Sequence, residues 1–248
     1  MRLTVNDLSV RYGATAVICG LDLVAEPGEV LAVIGPNGSG KSSLVKAVAG
    51  LLPHGGTIAY DGRRERPRSI GYMPQDIGVR TALTVLEAVL LGRFGKLGLR
   101  VGASDLAAAE AVLVELDLVA LASRYLGELS GGQRQLVFLA QALASEPTLL
   151  LLDEPISALD IRHQLEVMET MLRVTRERDL TTLVVLHDLN IAARFADSVV
   201  AMRGGRAVCH GRPERVIEPA MVAKVFDVQA GMSIGADGRR IVTPLKAL

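Results

Sequence analysis

The eight residues GPNGSGKS, at positions 35–42, constrain this chain more tightly than any other feature. The apolar run EVLAVIG leads into them, and a helical pattern follows from about residue 41 to 49. A strand that ends in a glycine-rich turn and re-enters a helix brings several backbone N–H groups to one point, at the positive end of the helix dipole. Gly35, Asn37, Gly38, Ser39, Gly40 and Ser43 are the candidates for that phosphate cradle. Lys41 is placed to neutralise β- and γ-phosphates, and Ser42 to hold Mg²⁺. The order strand, loop, helix predicts an α/β core built on a mainly parallel sheet.

The rest of the chain fits that expectation. Residues 3–10 and 17–24 read as strands ahead of the loop, and shorter ones are expected near 57–60 and 69–73. From about residue 84 to 144 the pattern becomes helical, in TVLEAVLLGR, SDLAAAEAVLVELDL and GGQRQLVFLAQALA. Strand and helix then alternate: TLLLLD, a helix from Ile161 with Leu165, Met168 and Leu172 in one stripe, TTLVVLH, a helix from Asp188, and SVVAM. Continuous apolar runs bounded by polar turns suit central parallel strands covered on both faces.

Two further stretches carry chemistry. LLLLDEP, residues 149–155, is an apolar strand that delivers two carboxylates at its carboxyl end, where ligands bind in open α/β sheets. Asp153 suits the Mg²⁺ shell and Glu154 suits a water-positioning base. ELSGGQRQ, residues 128–135, is a second phosphate site by shape, because small residues open a helix whose first N–H groups are free. No lysine stands beside it, so Ser130, Gly131, Gly132 and Gln133 are suited to a phosphate already clamped elsewhere.

GPNGSGKS, LSGGQ and LLLLDEP together make the chain resemble the nucleotide-binding subunits of ABC transporters, over nearly its whole length. The resemblance implies a P-loop NTPase core, an antiparallel β subdomain at the N-terminus and an inserted helical subdomain. It makes residues 1–248 a single domain, with 1–83 and 145–248 as core plus β subdomain and 84–144 as the helical insert. It also implies ATP and Mg²⁺ as cofactors, and two chains arranged head to tail so that the LSGGQ of one meets the γ-phosphate on the P-loop of the other. By the same resemblance Tyr12 stacks on adenine, Gln75 in GYMPQD touches Mg²⁺ and water, Asp160 in SALD lies along the dimer interface, and His187 contacts γ-phosphate. Leu136 and Ile156 depart from the family pattern, which often has a basic residue and a threonine there. Neither removes a phosphate or Mg²⁺ ligand.

GRFGKLGLRVG at 92–102, SALDIRHQLEVM and the ending VFDVQAGMSIGADGRRIVTPL are similar to segments of importers of iron chelates, haem and cobalamin. Read without the resemblance, the first is a solvated loop and the last an edge hairpin. The resemblance implies a second ATPase chain as partner, for which the presence of both half-sites allows an identical copy in a homodimer or else a related chain, together with separate permease chains and indirectly a substrate-binding protein. The expected location is the cytoplasmic face of the cell membrane. The alternatives are a soluble ABC ATPase driving an assembly or repair complex, and a small-molecule kinase with a P-loop.

Composition narrows the field. Twenty-seven basic residues balance twenty-seven acidic ones, and four tyrosines, four phenylalanines and no tryptophan are available to stack bases, so nucleic acid is not expected as a partner. The longest uncharged stretch, residues 47–60, holds a proline, glycines and a histidine and is too short to span a bilayer. Cys19 and Cys209 form no disulfide framework, which suits a reducing compartment. The basic run GRRERPR from Gly62 reads as a hairpin tip, and His54, His163 and His210 lack metal-ligand spacing and are assigned no site.

Overall fold

The computed structural model describes residues 1–67, 69–75, 82–93 and 101–248. A six-stranded sheet forms the centre, in the order β5 (Ile70–Met73), β6 (Leu149–Asp153), β7 (Thr181–Val185), β3 (Val30–Ile34), β8 (Ser198–Arg203) and β9 (Arg206–Gly211). The first five strands run parallel and β9 closes the edge antiparallel to β8. β3, β6 and β7 are buried at every residue, which is why their sequences are apolar without alternation.

Successive side chains of these strands enter two different cores. Leu31, Val33, Leu149, Leu151, Leu183 and Val185 face α1 (Lys41–Val48) and a second, antiparallel sheet of β1 (Leu3–Tyr12), β2 (Thr15–Ala25) and β4 (Gly55–Tyr60). Ala32, Ile34, Leu150, Leu152 and Val184 face the other core. There α5 (Ile161–Glu177), α6 (Leu189–Phe195), α7 (Pro213–Val216), α8 (Pro219–Phe226) and the hairpin β10 (Val228–Ile234) and β11 (Arg240–Ala247) cover the sheet. On α5 the buried stripe runs through Val167, Met168, Met171, Val174 and Thr175, with Leu165 and Leu172 at its margin, a small rotation from the expected stripe.

Between β5 and β6 lie α2 (Val85–Leu91), α3 (Ala103–Glu115) and α4 (Gly131–Ala144). Thr84 starts α2 with a reciprocal capping box to Glu87, and Ser130 starts α4 with one to Gln133. Arg93 is buried and forms an ion pair with Asp105 at 2.9 Å while donating to the Ala144 carbonyl at 3.0 Å. That arginine therefore fastens the end of α2 to α3 and α4, and is not solvated. Residues 94–100, the centre of the segment that resembles chelate importers, lie outside the described residues.

The basic run at 62–67 differs from the hairpin tip expected of it. β4 and β5 belong to different sheets, so the segment is a crossover, and Arg66 turns inward to donate to the Ala49 carbonyl at 2.7 Å. β9, α7 and α8 had no counterpart in the sequence reading. They are short elements of mixed polarity, and their faces are defined only by the core they cover.

Candidate active site

The site is assembled by strand order. β5, β6, β7 and β3 are consecutive neighbours, and Gln75, Asp153, Glu154, His187 and the phosphate loop all leave their carboxyl ends. Gln75 follows β5 by two residues, Asp153 ends β6 with Glu154 behind it, His187 follows β7 by two, and the phosphate loop follows β3. Because Met73 pairs with Leu152, and Asp153 with Val185, the three strand ends are level. Gln75, Glu154 and His187 thus reach the same cleft of about 510 Å³ as Asn37, Gly38, Gly40, Lys41, Ser42 and Ser43.

The loop's shape depends on glycine at two points. Gly35 has φ +152°, and a Cβ there would fall 2.3 Å from the Met202 carbonyl oxygen of β8. Gly40, the residue before α1, has φ +101°, and its Cβ would fall 2.9 Å from the Val17 carbonyl oxygen. Either side chain would push the loop off the strands beneath it, so glycine fixes where the α1 N-terminus points. Ser39 is buried, and its hydroxyl lies on the underside near Gly35; neither residue lines the cleft.

Lys41 curls back so that Nζ donates to the carbonyls of Gly35 at 2.9 Å and Pro36 at 3.1 Å. Burial pushes its ammonium pKa down, against an upward pull from Glu154 and Asp153. The Ser42 hydroxyl donates to Asp153 Oδ1 at 3.0 Å. Asp153 is only 1% exposed, and burial raises its carboxyl above the usual range despite the Ser42 hydrogen bond. A hydroxyl and a desolvated carboxylate facing each other are hard oxygen donors, the set that suits Mg²⁺.

Glu154 is held on both carboxylate oxygens. Gln75 Nε2 donates to Oε2 at 2.8 Å, and His187 Nε2 lies 2.6 Å from Oε1. The Glu154 backbone sits at φ +56°, a left-handed conformation that turns its side chain out of the strand's alternation and into the cleft. A carboxylate fixed in this way, beside a cradle for phosphates, is arranged to orient and deprotonate a water.

Other predicted residues lie elsewhere. Tyr12 ends β1, is 49% exposed and does not line the cleft. Val17 of β2 does line it, and nothing in the sequence marks that valine. Ser130 caps α4 by accepting from Gln133 N at 3.2 Å, and Asp160 caps α5 by accepting from His163 N at 3.0 Å. Neither Asp160 nor residues 130–133 line the cleft. Of the two departures, Ile156 is buried and Leu136 packs partly buried on the helical core, so both serve as apolar packing.

The chain is similar to known proteins in sequence and in fold. The family described as ABC transporter matches residues 18–157. The chain is 40% identical, over 94% of its length and 94% of the relative's, to the hemin import ATP-binding protein HmuV of Chelativorans sp. (strain BNC1). It is 36% identical, over 91% of its length and 86% of the relative's, to the "Probable siderophore transport system ATP-binding protein YusV" of Bacillus subtilis (strain 168). A solved structure described as "An inward-facing conformation of a putative metal-chelate type ABC transporter" superposes with a TM-score of 0.88 and 29% identity, over 98% of this chain and 97% of that one.

Proposed function

Because the chain belongs to the ABC transporter family of ATP-binding proteins, we propose that it is the ATP-hydrolysing subunit that powers import of a haem, ferric siderophore or cobalamin-type metal chelate. The observation that carries the reading is the separation of two phosphate sites on one chain. The P-loop cleft holds Lys41, Ser42, Glu154 and His187, while the helix N-terminus at Ser130–Gln133 stands apart from it. A site with N–H donors and no cation is complete only when another chain brings a clamped phosphate. Two copies placed head to tail complete both sites at once, a closed two-fold arrangement.

In this reading the loop from Gly35 to Ser43 binds the phosphates, and Lys41 exchanges its carbonyl partners for phosphate oxygens. Ser42 and Asp153 hold Mg²⁺, which when bound offsets phosphate charge, and Gln75 reaches the same place from β5. Glu154 orients the attacking water and takes up its proton. His187 holds Glu154 before nucleotide arrives and is free to turn to the γ-phosphate afterwards. Tyr12 covers the adenine once the β1 end closes over it, and Asp160 lies along the interface beside the partner's P-loop. Positioning and charge supply the rate, since the phosphoryl group needs little covalent help.

Among the described residues no helix is long and apolar enough to cross a membrane. In this reading transport runs through separate permease chains, with this subunit at the cytoplasmic face of the membrane and a substrate-binding protein acting only through the permease. The chelate assignment rests on what the relatives are named for and on the SALDIRHQ and C-terminal segments. The test is to purify the Glu154→Gln chain from its native host's membranes with ATP and Mg²⁺. Co-purification of a polytopic permease supports the reading, and that permease narrows the substrate. Soluble assembly proteins or nucleic acid in its place would favour a non-transport machine.

A further inference from the structure

His163 belongs to no nucleotide-binding motif, yet it bridges two of them. It lies in the first turn of α5, behind the Asp160 cap. Its backbone N–H donates to Asp160 Oδ1 at 3.0 Å, and ring Nδ1 lies 2.8 Å from the same oxygen. The opposite edge of the imidazole faces Gly132 of α4: a Cβ built on that glycine would fall 2.1 Å from ring Cδ2, 2.5 Å from Cγ and 2.8 Å from Cβ. A Cβ on the neighbouring Gly131 would fall 3.2 Å from Leu159 Cδ2. Consecutive glycines of α4 are therefore covered by residues 159 and 163, on either side of Asp160.

Two chemical consequences follow. Nδ1 must carry the ring proton to bond a carboxylate, which fixes both the tautomer and the plane of the imidazole. With that plane fixed, no side chain larger than hydrogen fits at position 132. Glycine there is demanded by a contact within the chain, whatever it also allows toward a ligand.

We propose that His163 is a positioning residue for ATP hydrolysis, locking Asp160 and the Gly131–Gly132 step into one unit that meets the nucleotide of a second copy at fixed spacing. The proposal rests on the head-to-tail reading above, and its test separates the two. Gly132→Ala is made alone and with His163→Ala, in the full chain, and three quantities are read: the melting temperature without nucleotide, kcat for ATP, and the nucleotide affinity of the isolated chain.

Alone, Gly132→Ala should lower the melting temperature by several degrees and kcat about tenfold or more. In the His163→Ala background, where the ring carbons at 2.1 and 2.5 Å are gone and only Cβ remains, both losses should shrink to less than half. His163→Leu, bulky but without a donor, should lower kcat several-fold at unchanged ATP affinity, whereas His163→Asn, whose amide can replace the Nδ1–H donor, should restore most of it. Equal melting losses from Gly132→Ala in both backgrounds would overturn the contact. Coupling in melting but none in kcat, with Gly131→Asp still impairing hydrolysis, would overturn the positioning role alone. Coupling in melting with normal hydrolysis by Gly131→Asp would overturn the head-to-tail reading itself.

Discussion

Nε2 of His187 lies 2.6 Å from Oε1 of Glu154, while Gln75 donates to Oε2 of the same carboxylate at 2.8 Å. Glu154 is thus held by the ends of both strands that flank its own, β5 and β7. Both of its oxygens are engaged by protein groups. Under the proposed mechanism a γ-phosphate would give His187 an anionic partner to compete with Glu154, and that exchange would release one oxygen for water.

Replacing Glu154 by Gln keeps the size of the side chain and its reach toward Gln75 but removes the base. Turnover should fall roughly a hundredfold or more, the loss typical of a positioned base, with ATP binding retained. Steady-state hydrolysis beside equilibrium nucleotide binding decides it. Near-normal hydrolysis would take Glu154 out of the role.

His187→Ala frees Oε1 of Glu154 and removes the group expected to meet the γ-phosphate. If His187 only held Glu154, His187→Gln, which keeps an N–H donor, would restore nearly full activity. A role at the phosphate predicts that both variants lose about tenfold to a hundredfold in kcat, with smaller changes in KM. Single-turnover hydrolysis measures the chemical step directly, and a wild-type rate in either variant would contradict that role.

Gly131→Asp places a carboxylate in the first turn of α4. In the isolated chain an acidic residue there is favourable toward the helix dipole, and among the described residues the close neighbour is the flexible end of Leu159, so folding should survive. Toward a partner's phosphate it is repulsive. Hydrolysis should fall steeply while the ATP affinity of the single chain stays within about twofold, since residues 130–133 do not line the chain's own cleft. A large fall in that affinity would mean the two sites are not on different chains.

How far this was legible in the sequence varies by element. β3, β6 and β7 announce themselves because a strand covered on both faces has no polar positions to confuse its period. The phosphate loop and the acidic strand end are legible because their chemistry demands particular residues. Val17 enters the cleft through the register of β2 against the loop, a tertiary fact with no local signature. Arg66 and Arg93 read as solvated charges by composition, yet each finds a carbonyl at the end of a helix. His163 has no metal-ligand spacing to mark it, and what sets it apart is the Gly132 that stands across from it on α4.

Asp153 offers a prediction in which stability and activity move in opposite directions. Its carboxyl titrates above the usual range, with burial as the largest cause, even though Ser42, Lys46 and Lys41 all favour the charge. An acid whose folded-state value is raised binds protons more readily in the folded chain, so stability is lost as pH rises through the window above 3.8. The raised value means that ionising this desolvated group carries a net cost in the folded chain. Asp153→Asn removes that cost and keeps an oxygen to accept from the Ser42 hydroxyl. Its melting temperature at pH 7, without Mg²⁺ or nucleotide, should rise by a few degrees, and the decline of stability above pH 4 should flatten. Mg²⁺-dependent hydrolysis should fall by at least about a hundredfold, because a neutral amide is a poor partner for a hard cation. Thermal unfolding across pH 4–8 and hydrolysis at saturating Mg²⁺ test both halves. A lower melting temperature would show that the carboxylate's attraction to Lys41 and Lys46 outweighs its burial, and that the site is organised by charge before the metal arrives.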